Sequence, residues 1–223
     1  MYRLLLIILN LAVVVLELLG LRLRKTEEKD GFFRYYTVIS NLLALVGCFV
    51  AAVFLLVSPS ALLPLLIHYL KFIAAVGEAM TMFVVCCVLV PSRWREVGSV
   101  SGAFKVGLTQ GAMLYQHLLC PVITILSFLI ESAAAPNMDI GLFALLGTIP
   151  TCIYAAVLML LNGYRVIDGP YPFFRVHDQS VLASVLWIAG LFAVTLLLAL
   201  VLNGLNLRIT GETAAIQFIG QLL

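Results

Sequence analysis

Six long apolar segments dominate this chain of 223 residues and set the strongest limit on how it can fold. Each segment is long enough to cross a bilayer as a helix, which takes about 20 apolar residues. Charged residues make up 11% of the chain, whereas a soluble domain has roughly a quarter of its residues charged. The sequence therefore predicts an all-α, polytopic membrane protein built as a bundle of six transmembrane helices. The predicted spans are residues 3–21, 35–57, 68–90, 106–130, 140–161 and 181–202.

The pattern of residues in these segments excludes several other classes of protein. Strands of a membrane barrel alternate apolar and polar residues, whereas residues 4–9 are continuously apolar. The net charge of +2 is spread over a few loops, which argues against a nucleic-acid partner. The five cysteines all fall within predicted spans, and we interpret them as packing residues. We expect a single transmembrane domain over residues 1–205 and an interfacial tail over residues 206–223.

The positively charged residues are distributed unevenly between the loops. Ten of the 13 lysine and arginine residues lie in or beside the first, third and fifth loops, and the others are Arg3, Lys71 and Arg208. Cytoplasmic loops of membrane proteins carry the excess of positive charge. The first, third and fifth loops are therefore predicted to be cytoplasmic, which places both termini on the non-cytoplasmic side.

Several polar side chains fall inside the predicted spans, where an ionisable group costs at least ~2.5–3.5 kcal/mol at the helix centre. Glu17 and Glu78 are the acidic ones, and we interpret Glu17 as part of a polar helix seam, with a direct catalytic role as the alternative. In the second span, Thr37, Ser40 and Asn41 share one face with small residues, which is typical of close helix packing. Packing explains most of this face, but not the polar residues concentrated at its start.

His117 in the fourth span is the strongest candidate for a chemical role. Gln110 lies seven residues before it, Gln116 directly precedes it, and Pro121 follows it by four residues. Because proline lacks the N–H that would bond the carbonyl of His117, the helix is predicted to bend at the histidine. Broken backbone at membrane depth is tolerated where it is buried in protein or lines a cavity.

Three short motifs make the chain resemble one superfamily of six-span membrane proteins. They are the string YTVISNLL at residues 36–43, His117 with Pro121, and the Tyr171-Pro172-Phe173 loop. The superfamily contains the androgen-induced membrane protein, the androgen-dependent TFPI-regulating protein and prokaryotic relatives, whose pattern this chain resembles most. Its eukaryotic members hydrolyse fatty acid esters of hydroxy fatty acids with a threonine near the start of helix two and a histidine in helix four. The resemblance implies these roles for Thr37 and His117, with membrane lipids or acyl esters as partners.

The chemistry of these two residues also follows from their side chains. A threonine hydroxyl becomes an effective nucleophile when a base removes its proton, and histidine suits this task because its ordinary pKa lies near neutral pH. Counted along the helices, Thr37 lies ~9 Å and His117 ~14 Å from the cytoplasmic helix ends, an offset that tilt or the bend can absorb. Asn41 is predicted as an oxyanion donor, and Glu78 or Gln116 as the group that orients the imidazole. Ser40, Gln110 and Glu17 are further supporting candidates.

The sequence thus favours, as a hypothesis, an intramembrane threonine/histidine hydrolase of lipid esters that uses no metal and no cofactor. One alternative is a small transporter or channel that uses Glu17, Glu78 and His117, although the sequence shows no inverted repeat. Another is a non-catalytic membrane scaffold, which is favoured if Thr37 and His117 lie more than ~6 Å apart with no space between them. The sequence does not indicate an oligomeric state.

Overall fold

The fold is almost entirely helical. The computed structural model describes residues 2–27, 32–133 and 139–222. Within this part of the chain, six helical segments are long and apolar enough to cross a membrane. They are Tyr2–Thr26, Tyr36–Val57, Leu65–Ser92, Ala112–Ile130, Ile140–Gly163 and Val181–Gly211. The predicted all-α fold with six spanning helices is confirmed, and the chain is an integral, multi-pass membrane protein.

Ten α-helices, interrupted by two π turns, build these spans and the segments beside them in the described part of the chain. The helices of the first three spans are α1 (Tyr2–Glu27), α2 (Tyr36–Val57), α3 (Leu65–Val84) and α4 (Val90–Val97), with a π turn at Val85–Leu89. The fourth span follows the separate helix α5 (Val100–Thr109) and consists of α6 (Ala112–Leu114), a π turn at Tyr115–Leu119 and α7 (Cys120–Ile130). The last two spans consist of α8 (Ile140–Gly147), α9 (Ile149–Gly163) and α10 (Val181–Leu222).

Short elements connect the helices. They are 3-10 turns at Phe32–Arg34 and Pro172–Phe174 and two strands, β1 (Leu62–Leu63) and β2 (Ser132–Ala133). The two strands pair in parallel, with Leu62 opposite Ser132, and so tie the loop after α2 to the loop after α7.

Helices α1, α2, α3 and α7 pack against one another and form the centre of the bundle. Small residues allow this packing, since Ala44, Gly47, Cys48 and Ala51 of α2 are all buried. A Cβ atom at Gly47 would lie 3.1 Å from the carbonyl oxygen of Leu70, so the glycine lets α2 approach α3 closely. The packing face predicted for α2 is therefore confirmed. Helix α9 lies further out, and only Leu158 and Asn162 among its residues are buried.

Two of the spanning segments leave α geometry just before a proline. Pro91 and Pro121 each lie two residues beyond the end of a π turn. In an ordinary α-helix the N–H of residue 121 would bond the carbonyl of His117, but Pro121 has no N–H. The π turn accommodates this missing hydrogen bond by shifting the bonding pattern by one residue. In that turn the N–H of Cys120 bonds to the carbonyl of Tyr115. The distortion predicted at His117 therefore takes the form of a π turn.

The fourth span begins later in the chain than its apolar pattern predicts. The pattern favours one helix over residues 106–130, whereas α5 ends at Thr109 and α6 begins at Ala112. Gly111 separates them with a φ of 53°, in a region that residues other than glycine rarely adopt. The N–H of Met113 bonds the carbonyl of Gln110 at 3.0 Å and closes a tight turn. His117 consequently lies near the start of its span rather than several turns inside it.

Candidate active site

Thr37 and His117 meet at one end of the bundle. Thr37 lies in the first turn of α2, and His117 lies in the π turn that precedes α7. The distance from Thr37 Oγ1 to His117 Nε2 is 3.3 Å, and both side chains are buried. This separation allows a proton to pass directly between the hydroxyl and the imidazole.

A backbone carbonyl orients the imidazole ring. His117 Nδ1 lies 2.9 Å from the carbonyl oxygen of Gly107. Gly107 is in the last turn of α5, where carbonyl groups have no partner within their own helix. Because a carbonyl only accepts, Nδ1 of the neutral ring carries the proton and Nε2 presents its lone pair to Thr37. This is the tautomer that a base acting on the hydroxyl requires. The early end of α5 is thus what makes this acceptor available.

Ser40 and Asn41 hold the backbone around Thr37. The Ser40 hydroxyl donates to the carbonyl of Thr37 at 3.1 Å and pairs with the Thr81 hydroxyl at 2.8 Å. The Asn41 amide donates to the same carbonyl at 2.7 Å and to the carbonyl of Gln116 at 3.4 Å. Asn41 therefore ties α2 to the π turn that carries His117. Its N–H groups are directed at backbone carbonyls, whereas the sequence predicts that they serve an oxyanion.

An apolar cavity of about 290 Å³ lies beside Thr37, between α3, α9 and α10. Side chains such as Met80, Val84 and Leu191 form most of its wall. Ala156 of α9 and Phe192 of α10 also line the cavity, and both are exposed on the outside of the bundle. The cavity therefore extends from Thr37 to residues on the apolar outer surface of the protein.

Tyr171 belongs to this site, although the sequence alone assigns it no role. It lines the cavity and is buried. Its hydroxyl accepts a hydrogen bond of 3.1 Å from the N–H of Tyr36, the first residue of α2, and interacts with the Thr37 side chain. The only signal in the sequence is the Tyr171-Pro172-Phe173 motif, because 135 residues separate Tyr171 from Tyr36 along the chain.

The other predicted site residues occupy different surroundings. Gln110 is exposed at the end of α5, and Gln116 is buried beside His117. Glu17 and Glu78 are both fully buried and interact electrostatically with each other. Within the described residues, the carboxylate oxygens of Glu17 and Glu78 and the side-chain amide of Gln116 make no hydrogen bond of ordinary geometry.

A second buried polar cluster surrounds Lys71. Its ammonium group donates to Asn10 Oδ1 at 2.8 Å, to Cys48 Sγ at 3.1 Å and to Ser127 Oγ at 2.6 Å. A carboxylate oxygen of Glu131 lies 3.8 Å from this group. The partners belong to α1, α2 and α7, so Lys71 of α3 links all four central helices. Residue spacing along one helix does not reveal a cluster of this kind.

Among the described residues, no group of three or more histidine, cysteine, aspartate or glutamate side chains has an arrangement that could hold a metal ion. Comparisons of the chain with known protein families, with curated proteins and with solved structures find no match.

Proposed function

We propose that this protein is an intramembrane hydrolase of lipid esters, with Thr37 as the nucleophile and His117 as its general base. The observation that carries the proposal is the distance of 3.3 Å between the Thr37 hydroxyl and His117 Nε2. The Gly107 carbonyl adds support, because it leaves the Nε2 lone pair directed at the hydroxyl. The distance between these two atoms is also well below ~6 Å, and only a larger separation would favour a non-catalytic scaffold.

The reaction has two halves, joined by an acyl-threonine intermediate. His117 Nε2 accepts the hydroxyl proton of Thr37 while Oγ1 attacks the ester carbonyl carbon, whose π electron pair moves onto the carbonyl oxygen. The tetrahedral intermediate then collapses, the bond to the leaving alcohol breaks, and His117 gives the proton to that alcohol. In the second half His117 takes a proton from an attacking water. The bond between the acyl carbon and Oγ1 breaks, and the same proton returns to Thr37.

The cavity favours a long-chain ester that enters from the membrane. Its wall is apolar, and it reaches the outer surface between α9 and α10, where lipid chains would contact the protein. Fatty acid esters of hydroxy fatty acids have two apolar chains, and they are the substrate class that the motif resemblance implies. The products of such a reaction are a fatty acid and a hydroxy fatty acid.

We also propose that the end of the bundle with Thr37 and His117 faces the cytoplasm, because the first, third and fifth loops carry most of the positive charge. The test uses single cysteines at the exposed residues Ser60 and Ser99, in protein whose native cysteines are replaced. In intact cells, a membrane-impermeant maleimide should label Ser60→Cys and leave Ser99→Cys unlabelled. The reverse labelling pattern contradicts the proposed orientation.

The hydrolase proposal is tested with purified protein in detergent. The substrates are a fluorogenic long-chain acyl ester and a fatty acid ester of a hydroxy fatty acid. Thr37→Ala and His117→Ala should each lower kcat by at least ~10³-fold. Thr195→Ala is the matched control, since it removes a buried hydroxyl that donates to a carbonyl of its own helix, that of Leu191 at 2.7 Å. Hydrolysis by either site variant at the wild-type rate overturns the proposal.

Movement of a proton or ion through the bundle is a second candidate function, favoured by one observation. Glu17 and Glu78 are fully buried in the central helices, and ionisable groups at membrane depth mark ion pathways in many transporters. The assay is flux into liposomes that contain the protein and a pH-sensitive dye. Glu17→Gln should stop the flux, whereas no flux with wild-type protein eliminates this candidate.

A further inference from the structure

We propose that the Tyr171 hydroxyl is the hydrogen-bond donor that stabilises the oxyanion formed when Thr37 attacks an acyl ester. The inference rests on the proposed hydrolase function and adds a third catalytic residue to it. It also gives a chemical role to the loop that contributes Tyr171, Phe173 and Phe174 to the cavity wall.

The position of the hydroxyl is the first argument. Tyr171 lines the cavity beside Thr37, and its hydroxyl accepts the N–H of the neighbouring residue Tyr36 at 3.1 Å. An ester carbonyl within attacking distance of Thr37 Oγ1 places its oxygen in the same part of the cavity. The hydroxyl therefore lies where negative charge develops during the reaction, which is the position that an oxyanion donor must occupy.

The hydrogen bonds of the other cavity hydroxyls provide the second argument. Three hydroxyl groups already have partners away from Thr37 Oγ1: Tyr36 with Thr151 at 2.7 Å, Tyr154 with the carbonyl of Arg34 at 2.6 Å, and Thr81 with Ser40 at 2.8 Å. Tyr171 uses its oxygen to accept an N–H, so its own proton is left to donate. The Thr37 side chain interacts with this hydroxyl, so the proton that is left lies beside the site of attack.

The third argument is that the phenol is held rigidly. Its ring stacks on Phe173, with ring centres 5.1 Å apart, and packs edge-on against Tyr35 at 6.2 Å. The loop is also tightly closed, since a Cβ atom at Gly169 would lie 2.5 Å from the backbone of Phe174. A donor fixed before the reaction needs no rearrangement when the oxyanion forms, and most of the value of an oxyanion hole depends on this.

The phenol keeps its proton throughout the cycle. Burial raises the pKa of the Tyr171 hydroxyl above the ordinary value of about 10, so the group is neutral at physiological pH. It donates a hydrogen bond to the oxyanion without transferring the proton, and the proton balance of both half-reactions is unchanged. The bond accepted from Tyr36 polarises the O–H group and strengthens its donation.

Tyr171→Phe tests the inference, because it removes the hydroxyl and keeps the ring that packs on Phe173. The expected result is a fall in kcat of about 10²–10³-fold with KM within a few-fold of the wild-type value. Tyr69→Phe is the matched control, since it removes a hydroxyl that donates to the carbonyl of Leu146 at 2.9 Å outside the site. A fluorinated tyrosine incorporated at position 171 keeps the hydroxyl and should retain most of the activity.

Binding measurements separate an oxyanion role from a purely structural one. A long-chain alkyl boronic acid forms a tetrahedral adduct on Thr37 and places an oxygen where the oxyanion forms. Tyr171→Phe should bind it about 10²-fold more weakly, while the affinity for the fatty acid product stays unchanged. Wild-type kcat in Tyr171→Phe, or an equal loss of affinity for both compounds, overturns the inference and leaves the proposed function standing. Full activity of Thr37→Ala instead overturns the proposed function, and the inference with it.

Discussion

Replacing Gly111 with alanine disturbs the turn that lets α5 end before His117. Gly111 has φ 53° and ψ −133°, a conformation typical of glycine in tight turns. Holding alanine there costs about 1–3 kcal/mol. We expect the turn to relieve this strain by rotating, which would move the Gly107 carbonyl away from its position 2.9 Å from His117 Nδ1. Losing that hydrogen bond costs about 1 kcal/mol and frees the ring to adopt the other tautomer. We expect kcat to fall about 5–30-fold, which corresponds to a loss of 1–2 kcal/mol of transition-state stabilisation.

The assay that reports this change directly is ¹⁵N NMR of histidine-labelled protein, which distinguishes the Nδ1–H and Nε2–H tautomers. The chain has three histidines, so single substitutions assign the signals. Wild-type His117 should show the Nδ1–H form, and Gly111→Ala should show a mixture. Gly98→Ala is the control, because Gly98 has φ 81° at the end of α4 and open space around a Cβ atom. It should lower Tm and leave the tautomer and kcat unchanged. If Gly111→Ala behaves in the same way, the reasoning is refuted.

Three further predictions concern stability and substrate entry. Lys71→Met removes three buried hydrogen bonds between helices and should lower the free energy of unfolding in detergent by about 3 kcal/mol. An unchanged Tm contradicts the role of Lys71 in linking the central helices. Burial raises the pKa of Glu131 to about 8, so the folded protein binds this proton more tightly than the unfolded chain does. The free energy of unfolding should therefore fall by up to ~5 kcal/mol as the pH rises from about 4 to 8. Glu131→Gln should flatten the curve of Tm against pH. Ala156→Trp should raise KM for long-chain esters, because the larger side chain narrows the cavity opening. Ile153→Trp is the control and should leave KM unchanged, since Ile153 lies on the exposed face of α9 and outside the cavity lining. Equal effects of the two substitutions contradict substrate entry beside Ala156.

The spans were predictable because a bilayer requires a continuous apolar helix, and such a helix is visible as a run of residues. The distortion at His117 was predictable for a similar local reason, since Pro121 removes one N–H from the helix. The break at Gly111 was not, because apolar residues lie on both sides of it and glycine is common inside membrane helices. Its positive φ depends on how α5 packs beside the fourth span, and residue types do not encode that directly.

The candidate site was predictable only in part. Thr37 and His117 stand out by residue type and motif, but their separation of 3.3 Å depends on how α2 and the π turn pack. The group that orients His117 is the backbone carbonyl of Gly107, and every residue has such a carbonyl. Tyr171 reaches the site through a loop far along the chain. Contacts between separate helices decide all three features, so they become visible only in the folded structure.

The role of Thr37 as the nucleophile is tested by identifying the residue that a long-chain alkyl fluorophosphonate modifies. The protein is labelled in detergent, digested and mapped by tandem mass spectrometry. We expect an adduct on Thr37 that forms rapidly in the wild type, slowly in His117→Ala and not at all in Thr37→Ala. An adduct on another residue, or an unmodified Thr37 in protein that hydrolyses acyl esters, contradicts the assignment of Thr37 as the nucleophile.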